Sequence, residues 1–236
     1  MVKGKRILKV FSWLTALALP VLLLSFSEAN NTVQAREIDI VLEGDLPFQK
    51  PKDILETVDI LKDSASLINI RLLEESLMTL NGVEEAEVFS DLGERLHVRI
   101  EQAAPLFRLF DTDSSYYVSQ EGEVMALSPY QSVQLPLVSG GGASKRLEEL
   151  HALFLAIQAD EILNKSIDAA KVSETGECTL YSGHGGAHEV MLGGLNQWPD
   201  KLQRLSVFYR EMVTTGKRTN FGKLDLRFNG QVVLSK

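Results

Sequence analysis

The pair His184 and His188 has the spacing in this chain that comes nearest to a metal-binding pattern. Two histidines four residues apart bind zinc together when a helix presents both rings on one face. Here Gly185 and Gly186 stand between them, and adjacent glycines disfavour a helix. Only Glu189 offers a third ligand nearby. We therefore interpret the segment as a glycine-rich turn between strands and predict no metal site.

The run Ser139-Gly-Gly-Gly-Ala-Ser-Lys145 has the composition of a phosphate-binding loop but not its ending. Such loops close with Gly-Lys-Ser/Thr, which places an ammonium and a hydroxyl on the phosphates and the metal. Because that ending is absent, we interpret the run as a flexible loop. We predict that the protein uses no cofactor.

The other reactive residue types form no catalytic pattern. Cys178 is the only cysteine, so an intramolecular disulfide and thiolate metal sites are excluded, and a buried, inert thiol is expected. The chain has no Gly-x-Ser-x-Gly elbow. Its acidic residues fall on predicted solvent faces, with no pair set apart for acid–base work. We predict no catalytic residues and no enzyme.

The charge distribution argues against nucleic acid as a partner. The net charge is −8, yet Lys3, Lys5, Arg6 and Lys9 precede the first acid, Glu28. Beyond residue 9 the chain carries 20 basic against 32 acidic side chains. Binding to phosphates needs clustered basic side chains, so a body this acidic is suited neither to nucleic acid nor to an anionic membrane surface.

An apolar segment over residues 7–26 has the length of a membrane anchor. It contains one charge, Lys9, and as a helix it would span about 30 Å, the thickness of the hydrocarbon core. Basic residues precede it and acids follow it, which places residues 1–6 in the cytoplasm and the body outside. The alternative is a signal peptide cleaved after Ala29 or Ala35. Either way the body is exported.

Residues 37–104 are predicted to form a small domain after a polar linker over residues 27–36. Ile38, Ile40 and Leu42 alternate with polar residues, which indicates a half-buried strand. A helix beginning at Pro51 and a second one ending at Asn81-Gly82 follow. Their apolar stripes are Ile54, Leu55 and Val58 in the first, and Leu73, Leu77 and Leu80 in the second. Strands over residues 83–89 and 95–101 then form a hairpin, which gives the order strand, helix, helix, strand, strand.

Residues 105–236 are predicted to form a mixed or antiparallel sheet with two helices, so the fold class is α+β. The helices cover residues 147–157 and run from Trp198 to about Thr215. Strands are predicted over residues 106–110, 116–119, 124–127, 134–138, 167–172, 178–181, 189–192, 224–228 and 231–234. Terminal strands often lie at a sheet edge and can accept a partner's strand, whereas Asn229-Gly230 favours a closed two-residue hairpin. Both interpretations remain open on the sequence.

Several local patterns resemble one family when they are taken in order and with their spacing. They are Ile70 at the start of the second helix, Gly82-Val-Glu-Glu-Ala-Glu-Val88, Val98-Arg-Ile-Glu101 followed by Pro105, Tyr117-Val-Ser-Gln-Glu-Gly-Glu-Val124, Leu135-Pro-Leu-Val-Ser-Gly140, Leu192-Gly193 and Leu224-Asp-Leu-Arg-Phe-Asn-Gly-Gln-Val-Val233. Nearly the whole chain is similar to the bacterial cell-division family FtsQ/DivIB.

This resemblance implies a non-enzymatic scaffold of the division septum. It implies a retained anchor in the cytoplasmic (inner) membrane, a POTRA domain over residues 37–104 and a C-terminal β-domain over residues 105–236. It also implies binding of FtsB/DivIC-like and FtsL-like single-pass partners outside the membrane, which links early and late division proteins. The implied docking residues are Lys223, Leu224, Asp225, Leu226, Arg227, Phe228, Gln231, Val232 and Val233.

Two other function classes compete with the scaffold. An exported envelope hydrolase would need a site that forms only in the fold, with His184 or His188 beside paired carboxylates. A POTRA-bearing outer-membrane assembly factor would need many spanning strands of about ten alternating residues, which residues 105–236 do not supply. The scaffold hypothesis predicts that deleting residues 223–236 abolishes partner binding while the body stays folded.

Overall fold

The computed structural model describes residues 32–62, 67–92, 94–111, 114–183, 186–215 and 221–235. They form two compact units. The first contains the described residues up to Glu43 and Gln49–Gln102, and the second contains Gly44–Phe48 and the residues from Ala103 onwards. The predicted tail, anchor and Ala29 cleavage site lie outside the described residues. Across the ranges given above, no helix combines the length and the apolar character needed to cross a membrane.

The first unit contains the predicted order of strand, helix, helix, strand, strand, with one addition. Its elements are β1 Thr32–Gln34, β2 Glu37–Glu43, α1 Pro51–Leu61, β3 Leu67–Asn69, α2 Ile70–Leu77, β4 Val83–Ser90 and β5 Arg95–Gln102. The addition is an antiparallel ribbon of β1 and β3. The predicted linker over residues 27–36 is therefore wrong at residues 32–34, because Val33 pairs with the fully buried Ile68 and packs against the core.

The sheet of the first unit has the order β2-β5-β4, with β2 parallel and β4 antiparallel to β5. One face is the core, formed by alternate residues of β5 and by both helices. Its fully buried members include Ile54, Val58, Leu73, Leu77, Leu96 and Ile100. The predicted stripe of α1 is wrong at Leu55, which is exposed, because a helix turns by 100° per residue and the buried line follows Ile54 and Val58.

The second unit is built on one mixed sheet, as predicted. Its elements are β6 Pro105–Asp111, β7 Ser114–Ser119, β8 Val124–Met125, β9 Leu137–Ser139, α3 Leu147–Ala159, α4 Glu161–Ser166, β10 Ile167–Val172, β11 Glu177–Ser182, β12 His188–Gly194, α5 Trp198–Thr215, β13 Lys223–Asp225 and β14 Val233–Ser235. The strand order is β14-β13-β12-β11-β10-β9-β6-β7-β8. Neighbours pair antiparallel except β6 with β9, β9 with β10 and β12 with β13, which are parallel.

Helices α3 and α5 share one hydrophobic core with the sheet. Leu150 and Phe154 of α3 pack in the same cluster as Leu205 of α5 and the strand residues Leu180 and Leu224. A smaller cluster explains why Gly44–Phe48 belongs to this unit. There Phe48 packs edge-on against Tyr117, with ring centroids 6.1 Å apart.

The prediction of two helices is incomplete, because the short helix α4 lies between α3 and β10. Asp160 starts it: Oδ1 accepts the N–H groups of Ile162 at 3.0 Å and Leu163 at 3.2 Å, as an N-cap does. Asp160 Oδ2 also accepts the Ser206 hydroxyl at 2.5 Å and Arg210 Nη2 at 3.3 Å, which ties α4 to α5.

We expect replacement of this cap to cost stability in a pH-dependent way. Burial raises the pKa of Asp160, but hydrogen bonds from Ser206 and the two amides, together with Arg210, lower it more, so its pKa lies below the ordinary value. Asp160→Ala should therefore lower the free energy of unfolding by about 2 kcal/mol at neutral pH, measured by urea unfolding.

The carboxylate's contribution should be complete above the unfolded pKa of about 3.9 and should disappear as the pH falls through the lower folded pKa. Asp160→Asn keeps an oxygen for the cap but removes the charge. Its unfolding free energy should consequently fall less steeply below about pH 4 than that of the wild type. Identical pH profiles for the two proteins would contradict this role of the charge.

The glycine run after β9 is packed, and its interpretation as a flexible loop is corrected. Gly140 has a φ of +107°, and a Cβ there would lie 2.1 Å from the carbonyl oxygen of Val172. A Cβ on Gly142 would lie 2.0 Å from the carbonyl oxygen of Ser173. The chain therefore uses glycine because its backbone approaches the end of β10 too closely for any side chain.

Candidate functional site

The last two strands form one end of the sheet in the second unit. β13 lies between β12 and β14, and β14 is the edge strand. Both strands are shorter than predicted: β13 ends at Asp225 instead of Phe228, and β14 begins at Val233. Seven residues join them, so the two-residue hairpin that Asn229-Gly230 favours, one of the two alternatives open on the sequence, does not form. These two residues instead lie in a turn within the connection, where Gly230 has a φ of +67°.

The side chain of Arg204, on α5, binds the backbone of this connection. Its guanidinium donates to the carbonyl oxygens of Leu226 at 3.0 Å and Phe228 at 2.8 Å, and also to that of Gln231. A guanidinium offers five donors in a rigid, planar arrangement, so it fixes several carbonyls at once. The connection that precedes β14 is therefore held against α5.

The backbone direction of β14 follows from the neighbouring ladder. Glu189 N–H donates to Gly222 O, and Leu226 N–H donates to Met191 O, both at 3.0 Å. Gly222 and Leu226 thus direct these groups towards β12. Because the backbone groups of successive residues alternate in direction, Lys223 and Asp225 face β14 instead. Their partners are Ser235 and Val233. The N–H and C=O of Leu234 consequently point to the open side of the sheet.

The nine predicted docking residues are brought together but play different parts. Leu224 and Leu226 are fully buried and offer no side chain to a partner. Phe228 lies beyond the end of β13 and is 53% exposed. Lys223 pairs with Glu189 at 3.5 Å. Gln231 and Val232 belong to the connection and Val233 to the edge strand.

Asp225 and Arg227 form a close ion pair beside the edge. Arg227 Nη2 lies 2.6 Å from Asp225 Oδ2, and its Nε lies 3.0 Å from Oδ1. The hydrogen bond from Arg227 is the main reason why the pKa of Asp225 lies below its ordinary value. A Cβ on Gly193 would stand 3.0 Å from the Cγ atom of Arg227, so this glycine leaves room for the arginine.

A groove of about 440 Å³ lies between α5 and the connection that leads to β14. Its lining residues are Gln203, Arg204, Val207, Phe208, Glu211, Gly230 and Val232. Val207 is 52% exposed, and Leu234 of the edge strand is 44% exposed. Apolar surface is thus available along the connection as far as Val232, two residues before Leu234.

Sequence reasoning missed Arg204, Val207 and Leu234. The helical period places Arg204 on α5, but its acceptors lie 22 to 27 residues further along the chain. No local pattern records such a distant contact. The sequence predicts a strand that contains Leu234, yet the side on which its backbone groups stay open depends on the pairing of β13 with β12.

Two of the residues considered for chemistry, His188 and Cys178, lie among the described residues, and both are buried. His184 lies outside the described residues. His188 is buried, with Nδ1 2.8 Å from Gly186 O and Nε2 2.8 Å from the Tyr209 hydroxyl. Cys178 is buried as predicted, and burial raises the pKa of its thiol to about 12. In the ranges that the structure describes, no group of three or more histidine, cysteine, aspartate or glutamate residues could hold a metal ion.

The fold and the edge define a two-unit α+β protein whose second unit ends in an exposed strand at the side of a mixed sheet. A family model described as FtsQ/DivIB, C-terminal related, matches residues 104–235, and the chain belongs to this family. No curated protein matches the chain. The family consists of non-catalytic division proteins, and membership gives the chain a role in cell division as a membrane protein of the division site.

Proposed function

We propose that the protein is a non-enzymatic scaffold of the cytoplasmic membrane that binds FtsB/DivIC-like and FtsL-like single-pass partners outside the membrane. The observation that carries the proposal is the open edge of β14, where the Leu234 N–H and C=O are directed outwards beside an apolar groove. A strand added to such an edge gains backbone hydrogen bonds, and its side chains select the partner.

Strand addition to β14 needs help from side chains. The strand has three residues, so it offers few backbone hydrogen bonds. Each hydrogen bond contributes about 1 kcal/mol, so the few bonds along β14 are together too weak to hold a stable complex. The groove beside Val207 and Phe208 supplies a place for an apolar side chain of the partner, and buried apolar anchors dominate binding energy at interfaces. Arg227, which is half exposed, adds a polar contact at the rim.

The anchor over residues 7–26 fits this role, because the partners also belong to the membrane. Tethering two proteins to one surface raises the effective concentration of each for the other. A short edge strand then suffices to assemble the complex. In this proposal the POTRA domain, residues 37–104, directs the protein to the septum, and the C-terminal domain, residues 105–236, joins early and late division proteins.

Replacement of Arg204 tests the docking site without touching β14. Arg204→Gln removes the cation that holds three loop carbonyls, so the loop and the groove lose their fixed geometry. We expect the dissociation constant for the extracytoplasmic segment of an FtsB/DivIC-like partner to rise about tenfold or more, as loss of a charged hydrogen-bonding group implies.

Arg210→Gln is the matched control, since it makes the same change on the same helix, at a residue that bonds Asp160 instead of the loop. Its affinity should stay within about twofold of the wild type, a difference below 0.5 kcal/mol. Equal affinities of the wild type and the folded Arg204→Gln variant would rule out docking at this edge.

A further inference from the structure

We propose that the free edge of β2 in the first unit binds an extended segment of another protein in which basic and apolar residues alternate. This second site concerns residues Glu37–Glu43, and it does not rest on the function proposed for β14. Three features of the first unit support it: the state of its strand edges, the direction of the β2 backbone groups and the charge on one face of the sheet.

The described strand edges differ in how well they are protected. On β4 the register shifts between Val83 and Glu85, and the side chain of Glu74 accepts the Val88 N–H at 2.9 Å. β8 and β14 are only two and three residues long. Bulges, side-chain caps and short length are the ways in which proteins protect an edge.

β2 shows none of these protections. It pairs with β5 over seven residues without a register shift, and its sequence, Glu37-Ile-Asp-Ile-Val-Leu-Glu43, has no proline or lysine. Among the described residues no strand lies on its outer side. A long, regular edge without a paired strand is a template for pairing with another chain.

The outward backbone groups of β2 follow from the ladder across the sheet. The Val88 N–H points away from β5, so its neighbour Glu87 faces β5 and pairs with Arg99. The next β5 residue, Val98, therefore faces β2, where Ile40 is its partner. In a parallel ladder the two β2 residues on either side of Ile40 bond Val98, and Ile40 itself points outwards. The backbone N–H and C=O groups of Ile38, Ile40 and Leu42 therefore point away from the sheet.

The charge on the solvent face favours a basic strand. Alternation places Glu37, Asp39 and Glu43 of β2 on this face, where they pair with Arg95 at 2.9 Å, His97 at 3.4 Å and Arg99 at 2.7 Å. Glu85, Glu87 and Glu101 lie on the same face of the sheet. This face thus carries six carboxylates and two guanidinium groups. Basic side chains of an added strand would offset the excess of negative charge.

The opposite, core-side face of the sheet favours apolar side chains in the added strand. Ile38, Ile40 and Leu42 pack against the core of the first unit but are only half buried. An added strand would place every second side chain next to them, on the core side. Its basic residues would point to the acidic face, and its apolar residues would cover these three side chains.

The same charges disfavour a second copy of this chain as the occupant. Pairing of β2 with β2 would bring the acidic residues of two copies to one face, next to each other. Like charges on neighbouring strands are destabilising. The acidic row therefore protects the edge from self-association while leaving it open to a basic partner.

The test uses the full chain in detergent micelles and a fluorescent peptide of sequence KIKVKLK, at about 0.15 M salt. We expect measurable binding by fluorescence anisotropy and a dissociation constant at least about tenfold higher for the permuted peptide KKKKIVL, which loses the alternation.

Two further peptides are N-methylated forms of KIKVKLK. One carries the methyl groups on the amides of its lysines, and the other carries them on the amides of its apolar residues. In a paired strand, only every second amide N–H points towards β2 and donates a hydrogen bond to it. Methylation of that set should abolish binding, and methylation of the other set should leave binding unchanged.

Charge reversal in the protein completes the test. Asp39→Lys puts a cation at the edge and should weaken KIKVKLK about tenfold, whereas Glu87→Lys makes the same change on β4, two strands away, and should have a much smaller effect. Equal losses in the two variants, equal effects of the two methylated peptides, or a dimer formed through β2 would each overturn the proposal.

Discussion

Replacing Leu234 by proline is expected to abolish capture of an FtsB/DivIC-like partner while the second unit stays folded. The Leu234 N–H points to the open side of β14, so proline removes a donor to the partner and leaves the ladder with β13 intact. Loss of this donor, with the pyrrolidine ring in the path of the incoming strand, should raise the dissociation constant by about a hundredfold or more.

Co-purification from membranes and a titration with the partner's extracytoplasmic segment measure this effect. Leu234→Val is the control, because it keeps the N–H and an apolar side chain, and it should bind within about threefold of the wild type. Deleting residues 223–236 is a poorer test, since it also removes the buried Leu224 and Leu226 from the core. Full partner capture by a folded Leu234→Pro variant would contradict strand addition.

Gly140→Ala is expected to cause a large loss in the free energy of unfolding. The residue has a φ of +107°, and the new Cβ would overlap the carbonyl oxygen of Val172. Backbone strain in this region and overpacking each cost about 1–3 kcal/mol, so a combined loss of about 4 kcal/mol is expected. This is a large part of the stability of an ordinary domain.

Gly230→Ala separates these two causes. Gly230 also has a positive φ, of +67°, but among the described residues no heavy atom beyond its two chain neighbours lies within 4 Å of the added Cβ. Its cost should be about 1 kcal/mol, from the backbone alone. Urea unfolding of both variants measures the difference, and equal losses would show that the close approach to Val172 does not matter.

Short-range periodicity was sufficient to predict much of the fold. The alternation in Ile38–Leu42 and in Arg95–Glu101 located β2 and β5, because each strand buries one face and exposes the other. Pro51 marked the start of α1, since proline suits the first turn of a helix. These signals depend on contacts that repeat every two or four residues, and a sequence displays them directly.

The rest of the candidate site depends on contacts that helical and strand periodicity do not display. Where β13 ends, the Asp225 carboxylate accepts the Arg227 N–H and pairs with the Arg227 guanidinium. The connection to β14 depends on Arg204, which lies on another element. Helix α4 was missed because six residues are too few for a helical period, although Asp160 is a favoured N-cap residue.

The buried thiol of Cys178 has a practical consequence. With a pKa of about 12 and 1% of its surface exposed, it stays protonated and covered at neutral pH, so alkylating reagents and disulfides do not reach it. A cysteine introduced at Leu234 or Asp39 would then be the reactive thiol of the chain without removal of the native one. The wild-type background is in this sense already prepared for site-directed cross-linking at both strand edges.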